Sequence, residues 1–400
     1  MPKRAVFAIN VLLVMLLLTA AQGSQAAEDI KAVPKKGNTF APPLSENLPD
    51  AYATLPGFGA ITWETTKLPW VGEGPYEGIS GMGMVVSDGI IYLCGGFIPG
   101  GDGSGDSASH RTSRWTWQYD PATDTWTQLP DAPIRREYNR AIAAQNQVVL
   151  VGGGCQYKGS DPPYQVHGDC AALYLGGKKP AWRKFPALNV PRTHTAVGSA
   201  GKYLMVIGGN EYAFEENGYS NATIRATTEV FDLKQPNKGW QRKTSIPGAG
   251  RGWVASFCLD EKLYLFGGVT WDEDNNTVGI RESLVYDPQR DAWTERAPSP
   301  IAMSGWEGDC YGKRYALLVG GVARPKPETK QPMVWSDLVW AYDLQDDQWL
   351  RVEGTLPPGA VFNDPGVVVI GDTIYVIGAE GPDGSHYNYF LKGRIRPQSP

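Results

Sequence analysis

From about residue 60 to residue 396 the chain alternates apolar runs of four to six residues with polar turns. Runs this short, bounded by Gly, Pro, Asn and Asp, predict β-strands rather than helices. Six of them end alike. Ile91-Tyr-Leu-Cys94 runs into Gly95-Gly96, and the same join recurs at Gly152-Gly153, Gly208-Gly209, Gly267-Gly268 and Gly320-Gly321, with Gly378-Ala379 as the sixth. The first glycines lie 53 to 59 residues apart, a period that fits four short strands and one long loop. A second column runs in register with the first. An aromatic residue is followed seven to nine positions later by tryptophan: Tyr119 and Trp126, Tyr174 and Trp182, Phe231 and Trp240, Tyr286 and Trp293, Tyr342 and Trp349. Asp120-Pro121 and Asp287-Pro288 mark the turn between them. The last repeat has no tryptophan after its third strand. Ile61-Thr-Trp63 resembles Asp124-Thr-Trp126, so the missing outer strand is expected from the N-terminal side, which removes two open sheet edges.

These columns identify residues 61–396 as kelch repeats. The resemblance implies an all-β, six-bladed kelch-type β-propeller, its ring closed by an N-terminal strand that completes the last blade. Residues 27–60, rich in Pro, Lys and Glu, read as an irregular tether. Within each blade the connections between second and third strands are long, as at 97–114, 155–170, 210–227, 269–282 and 322–336. They share one face with the links between blades, and long loops on one rim of a rigid scaffold are where ligands usually sit.

Composition narrows the partners. Net charge is −5 and no block of Lys or Arg occurs, which gives no footing for nucleic acid. Lys3 and Arg4, the apolar stretch Val11 to Ala21 and Ser24-Gln25-Ala26 make residues 1–26 a signal peptide, so the mature chain is expected to be secreted or periplasmic, monomeric and without a membrane span. Export permits disulfides, and Cys155 and Cys170, which bracket one loop, are candidates to pair. Cys94, Cys258 and Cys310 lie in apolar strands and read as buried thiols.

Candidate chemistry gathers at the axis. Sixteen residues before three of the glycine pairs stand Arg136, Arg192 and Arg251. Facing a funnel they would hold a carboxylate or phosphate; turned inward they would bond to loop carbonyls. His194, Trp253, Trp306 and Glu307 lie nearby and suit a sugar-binding rim, with Trp306 equally able to fill a core. Kelch propellers that perform copper radical chemistry need several His and Tyr around one metal. Only His110, His167, His194 and His386 occur here, in four different blades, so no metal or other cofactor is expected. Blade three also resembles the periplasmic sialic acid mutarotases. In Gly208-Gly209-Asn210-Glu211, followed by Ile224-Arg225, Glu211 and Arg225 match, which implies proton shuttling by Glu211 and carboxylate binding by Arg225. The expected function is binding of a glycan or protein ligand at the long-loop face, the alternative being mutarotation or epimerisation of an acidic sugar.

Overall fold

Each glycine pair lies where one sheet meets the next, and that contact explains the column. In the computed structural model, which describes residues 43–72, 77–98, 112–157, 164–177, 179–215, 218–273, 277–324, 333–382 and 386–398, the second residue of every pair donates its backbone N–H across a blade boundary. Gly96 donates to Arg136, Gly153 to Arg192, Gly209 to Arg251, Gly268 to Met303, Gly321 to Phe362 and Ala379 to Ile79, at 2.5–2.8 Å. The first residue has no room for a side chain. A Cβ on Gly152 would lie 2.5 Å from the Arg192 carbonyl oxygen, and one on Gly378 would lie 2.1 Å from that of Ile79. The six bonds return to their starting blade, so the repeat closes into a ring.

The described strands form three separate four-stranded sheets, a five-stranded sheet, two two-stranded hairpins and a nine-stranded sheet, which the parallel pairing of Gly57–Lys67 with Gln348–Glu353 divides into two further blades. The inner strands of the blades are Gly83–Ser87, Glu137–Ala144, Ala196–Ala200, Ala255–Leu259, Ala302–Tyr311 and Gly366–Ile370, and they touch one another in cyclic order. Burial follows the same plan. The apolar residues form six clusters, each drawn mainly from two adjacent blades, so the core lies between sheets that each present two apolar faces. The tryptophan column secures these seams. Trp182, Trp240, Trp293 and Trp349 donate their indole N–H to carbonyls of the preceding blade, those of Pro130, Pro186, Thr244 and Ala297, at 2.8–3.0 Å. The paired aromatics hold the following turn: Tyr119 donates to Asp124 and Tyr286 to Asp291.

The sixth blade is completed as the repeat predicts. The strand Gly57–Lys67 runs antiparallel to Tyr389–Pro397, with Trp63 opposite Gly393. It does more than close one sheet. Its first residues pair in parallel with the outer strand of blade five, Gly57 opposite Arg351 and Ala60 opposite Glu353, so one segment joins two blades.

Residues 43–60 are not an irregular tether. Leu44–Asn47 forms a 3₁₀ turn and Asp50–Ala53 one helical turn, and both are pinned to blade five by side chains that a tether would leave in water. Tyr52 is buried edge-on to Trp340, ring centres 4.4 Å apart, and its hydroxyl donates to the carbonyls of Val339 and Val352. Leu44 is buried beside it, and the Ser45 backbone N–H donates to Asp337. The proposed leader, residues 1–26, and His110 lie outside the described residues.

Cys155 and Cys170 are buried thiols and do not form a disulfide. Strand register explains why. Leu150 lies opposite Ala171, which sets Cys170 level with Val151. Cys155 is four residues further along, roughly 13 Å away, whereas a bridge needs Cα atoms within about 7 Å. Cys170 instead contacts the Gly168 carbonyl.

Candidate ligand-binding site

The arginine column is structural. Arg136 and Arg192 are fully buried and Arg251 nearly so. Each donates to carbonyls of its own blade: Arg136 to Gly152 and Asp169, Arg192 to Val190, Gly208 and Thr227, Arg251 to Glu282. Arg192 also pairs with Glu229, both side chains being out of contact with solvent. The expectation that these three guanidiniums face a ligand is therefore corrected. The long loops place unpaired carbonyls over each blade, and the arginines satisfy them.

Two residues after each arginine, and two after Ile79, Met303 and Phe362 in the other blades, the backbone turns left-handed. Gly81, Tyr138, His194, Trp253, Gly305 and Asp364 all have φ between 48° and 64°. Five hydrogen bonds link their six peptide groups in succession around the axis: His194 N–H donates to Tyr138, Trp253 to His194, Gly305 to Trp253, Asp364 to Gly305 and Gly81 to Asp364, at 2.7–3.5 Å. Tyr138, His194 and Trp253 stack in sequence, ring centres 4.2 and 4.1 Å apart. The His194 Nε2 lies 3.8 Å from the Asp364 carboxylate.

That ring floors a cavity of about 480 Å³ on the long-loop face. Its walls come from three later blades: Val269, Trp271 and Thr277 from blade four, Val322, Met333 and Trp335 from blade five, and Asn363 and Glu380 from blade six. Trp253 and Trp271 tilt toward each other, centres 5.8 Å apart. Among the described lining residues there is no Lys or Arg. Burial sets the ionisation. It pushes Asp364 up to about 6, with Arg140 opposing, and it pushes Glu380 up to about 7, helped by the Asp364 charge. Burial, then Arg140, holds His194 well below the usual histidine range. The His194 Nδ1 lies 3.0 Å from the Thr193 hydroxyl.

Further along the same inner strands lies a second cavity of about 330 Å³, on the axis, lined by residues of all six blades. Glu307 belongs here rather than at the ligand rim, ion-paired with Arg140. Asp309 accepts the Val369 N–H at 2.9 Å. Burial, only partly opposed by Arg140, raises Glu307 to about 7. The folded protein thus keeps a proton that the unfolded chain gives up near pH 4.5. The stability this contributes is complete below that pH and is lost as pH rises through 7. Against wild type, Glu307→Gln is expected to gain relative stability between pH 4.5 and 8, read from urea unfolding at several pH values. A constant difference across that range would contradict the assignment.

The remaining candidates separate. Trp306 is fully buried, stacked on Trp349 at 5.9 Å and donating to the Phe266 carbonyl; it is core filler, not a ligand platform. Trp253 and His194 do line the cavity. Glu211 and Arg225 meet, but in an ion pair with each other at the base of the hairpin Asn210–Glu215 and Gly218–Ile224, and neither lines the cavity. Tyr138, Trp271, Trp335 and Glu380 were absent from the expected site. Counting two residues past the arginine column finds Tyr138, and counting one past the glycine pair finds Glu380. Nothing in the repeat marks Trp271 or Trp335.

Known proteins agree with this architecture. A model of the Kelch motif matches residues 79–133. The chain is 25% identical to Kelch-like protein terF of Aspergillus terreus over 308 residues, 75% of this chain and 60% of that protein. It is 27% identical to alpha-scruin of Limulus polyphemus over 219 residues, 53% of this chain and 22% of that one. An N-acetylneuraminate epimerase of Salmonella typhi is 32% identical over 94 residues, 23% of this chain and 24% of the enzyme. The chain spans three fifths or less of the length of these relatives. Glycine pairs that bond blade to blade, tryptophans that cross the seams and the motif matched at residues 79–133 lead to one conclusion: the chain is an all-β propeller built from kelch-type repeats.

Proposed function

We propose that this chain is an exported, monomeric binding propeller that takes the end of a glycan into the axial cavity of its long-loop face. One observation carries the reading. Trp253, Trp271 and Trp335 stand beside a buried acceptor and a buried donor, Asp364 Oδ1 and Trp271 Nε1, that have no hydrogen-bond partner among the described residues. A pyranose ring has an apolar face to lay on indole and hydroxyls that both donate and accept. A protein ligand inserting a polar loop would use the same mouth, and serving as a binding platform is the broader role the kelch fold supports.

A second reading, mutarotation or epimerisation of an acidic sugar, is favoured by the similarity to N-acetylneuraminate epimerase and by the meeting of Glu211 with Arg225. It requires that pair to open, because each group now occupies the other.

Ligand-observed NMR with a panel of sugars tests both. Line broadening by a hexose, lost in Trp271→Ala, is expected. Faster exchange between anomers of an acidic sugar, abolished by Glu211→Ala, would favour the second reading. Silence from every sugar would sink both and direct the search to protein ligands.

A further inference from the structure

We infer that the group seated in the axial cavity carries a positive charge, an ammonium such as the amine of an amino sugar. The inference rests on the reading of that cavity as the binding site and names the chemistry it selects. Two carboxylates, Asp364 and Glu380, face the cavity, and no Lys or Arg stands among its described lining residues. Asp364 cannot turn away. Its backbone is fixed in the left-handed ring by its N–H bond to Gly305 at 2.7 Å. One carboxylate oxygen accepts from Asn363 Nδ2 at 3.1 Å, while the other, Oδ1, is buried without a hydrogen-bond partner among the described residues. A buried acceptor left in that state costs free energy until a donor arrives.

Arg140 and His194, the basic groups coupled to Asp364 or closest to it, form no hydrogen bond to that oxygen among the described residues. Arg140 is ion-paired with Glu307 on the channel side of the ring. His194 stands 3.8 Å from the other Asp364 oxygen and is stacked between Tyr138 and Trp253. Three tryptophans, Trp253, Trp271 and Trp335, line the same cavity, and the electron-rich indole attracts cations most strongly of all side chains. Aromatic walls with a fixed carboxylate suit an ammonium that is apolar on one side and hydrogen-bonding on the other. The same arrangement repels a carboxylate, so an acidic sugar belongs elsewhere if it binds at all.

Titration calorimetry at pH 7 with glucosamine, glucose, N-acetylglucosamine, glucuronate and tetramethylammonium tests this on the full chain. Glucosamine is expected to bind at least about tenfold more tightly than glucose or N-acetylglucosamine, with glucuronate weakest. Asp364→Asn should reduce that preference to about twofold or less, because the amide removes the charge that separates glucosamine from glucose. Glu380→Gln, at a partly buried position, provides the same comparison should the Asp364 variant fail to fold. Equal binding of glucose and glucosamine would overturn the charge inference and leave the glycan reading standing. Binding of tetramethylammonium with no sugar bound would uphold the charge inference and remove the glycan reading. No binding by any of the five would remove both.

Discussion

Replacing Arg192 with methionine is expected to lower the unfolding free energy by about 3–5 kcal/mol, among the largest single-residue effects in the molecule. The substitution keeps most of the volume and removes the charge, so the loss isolates the network. Three carbonyls, those of Val190, Gly208 and Thr227, lose their donor inside the protein. Glu229 is left buried and without its cation, still accepting from the backbone N–H groups of Asn189 and Val190 at 2.8 and 3.2 Å. Adding Glu229→Gln should recover part of the loss, because the stranded charge goes while the amide oxygen can still accept. Urea unfolding of the wild type, both single variants and the double variant measures this. A cost below about 1 kcal/mol for Arg192→Met would place the residue among exposed ion pairs and contradict its assignment as the internal clamp of blade three.

Removal of residues 43–67 is expected to abolish cooperative unfolding of the monomer. The deletion takes away the outer strand of blade six, uncovers the edge Tyr389–Pro397 along its length and strips Phe58, Ile61, Leu44 and Tyr52 from two of the apolar clusters. An exposed edge of this length pairs with other chains, so the truncated protein should self-associate on gel filtration. A milder probe is Phe58→Ala, which empties a buried aromatic site between Tyr311 and Tyr315 and should cost about 3–5 kcal/mol. A truncated chain that stays monomeric and melts as sharply as the intact one would show that the ring holds without its closing strand.

The two outcomes bear on how much was legible in the sequence. The glycine and tryptophan columns could be read because each does one local job, repeated at every blade boundary, and only one or two residue types can do it. No Cβ fits between Gly152 and the next blade's carbonyl, so the position is glycine in all six repeats. The axial ring was legible only in part, at His194 and Trp253, for the opposite reason. Gly81, Tyr138, His194, Trp253, Gly305 and Asp364 share a backbone conformation and no chemistry. The cavity walls are harder still, since Trp271, Trp335 and Glu380 come from three blades and each occurs once. Arg192 shows the remaining difficulty. Its position was evident from spacing, but whether a guanidinium points into solvent or into its own blade depends on carbonyls contributed by residues up to 35 positions away.

The strand that closes the ring also constrains when the ring can form. Gly59 must find Pro397, so the earliest of the described strands to leave the ribosome waits for the latest of them. By the logarithmic dependence of loop closure on length, that contact costs about 2 kcal/mol more entropy than closing a segment the length of half a blade. Blades one to five can collapse in order of synthesis, each on its predecessor, while the apolar edges of the first and last sheets stay uncovered. The final docking is then a slow, long-range step, and a chain interrupted before residue 397 is left with its first strand unmatched and its outer edges open to chaperones, proteases or one another.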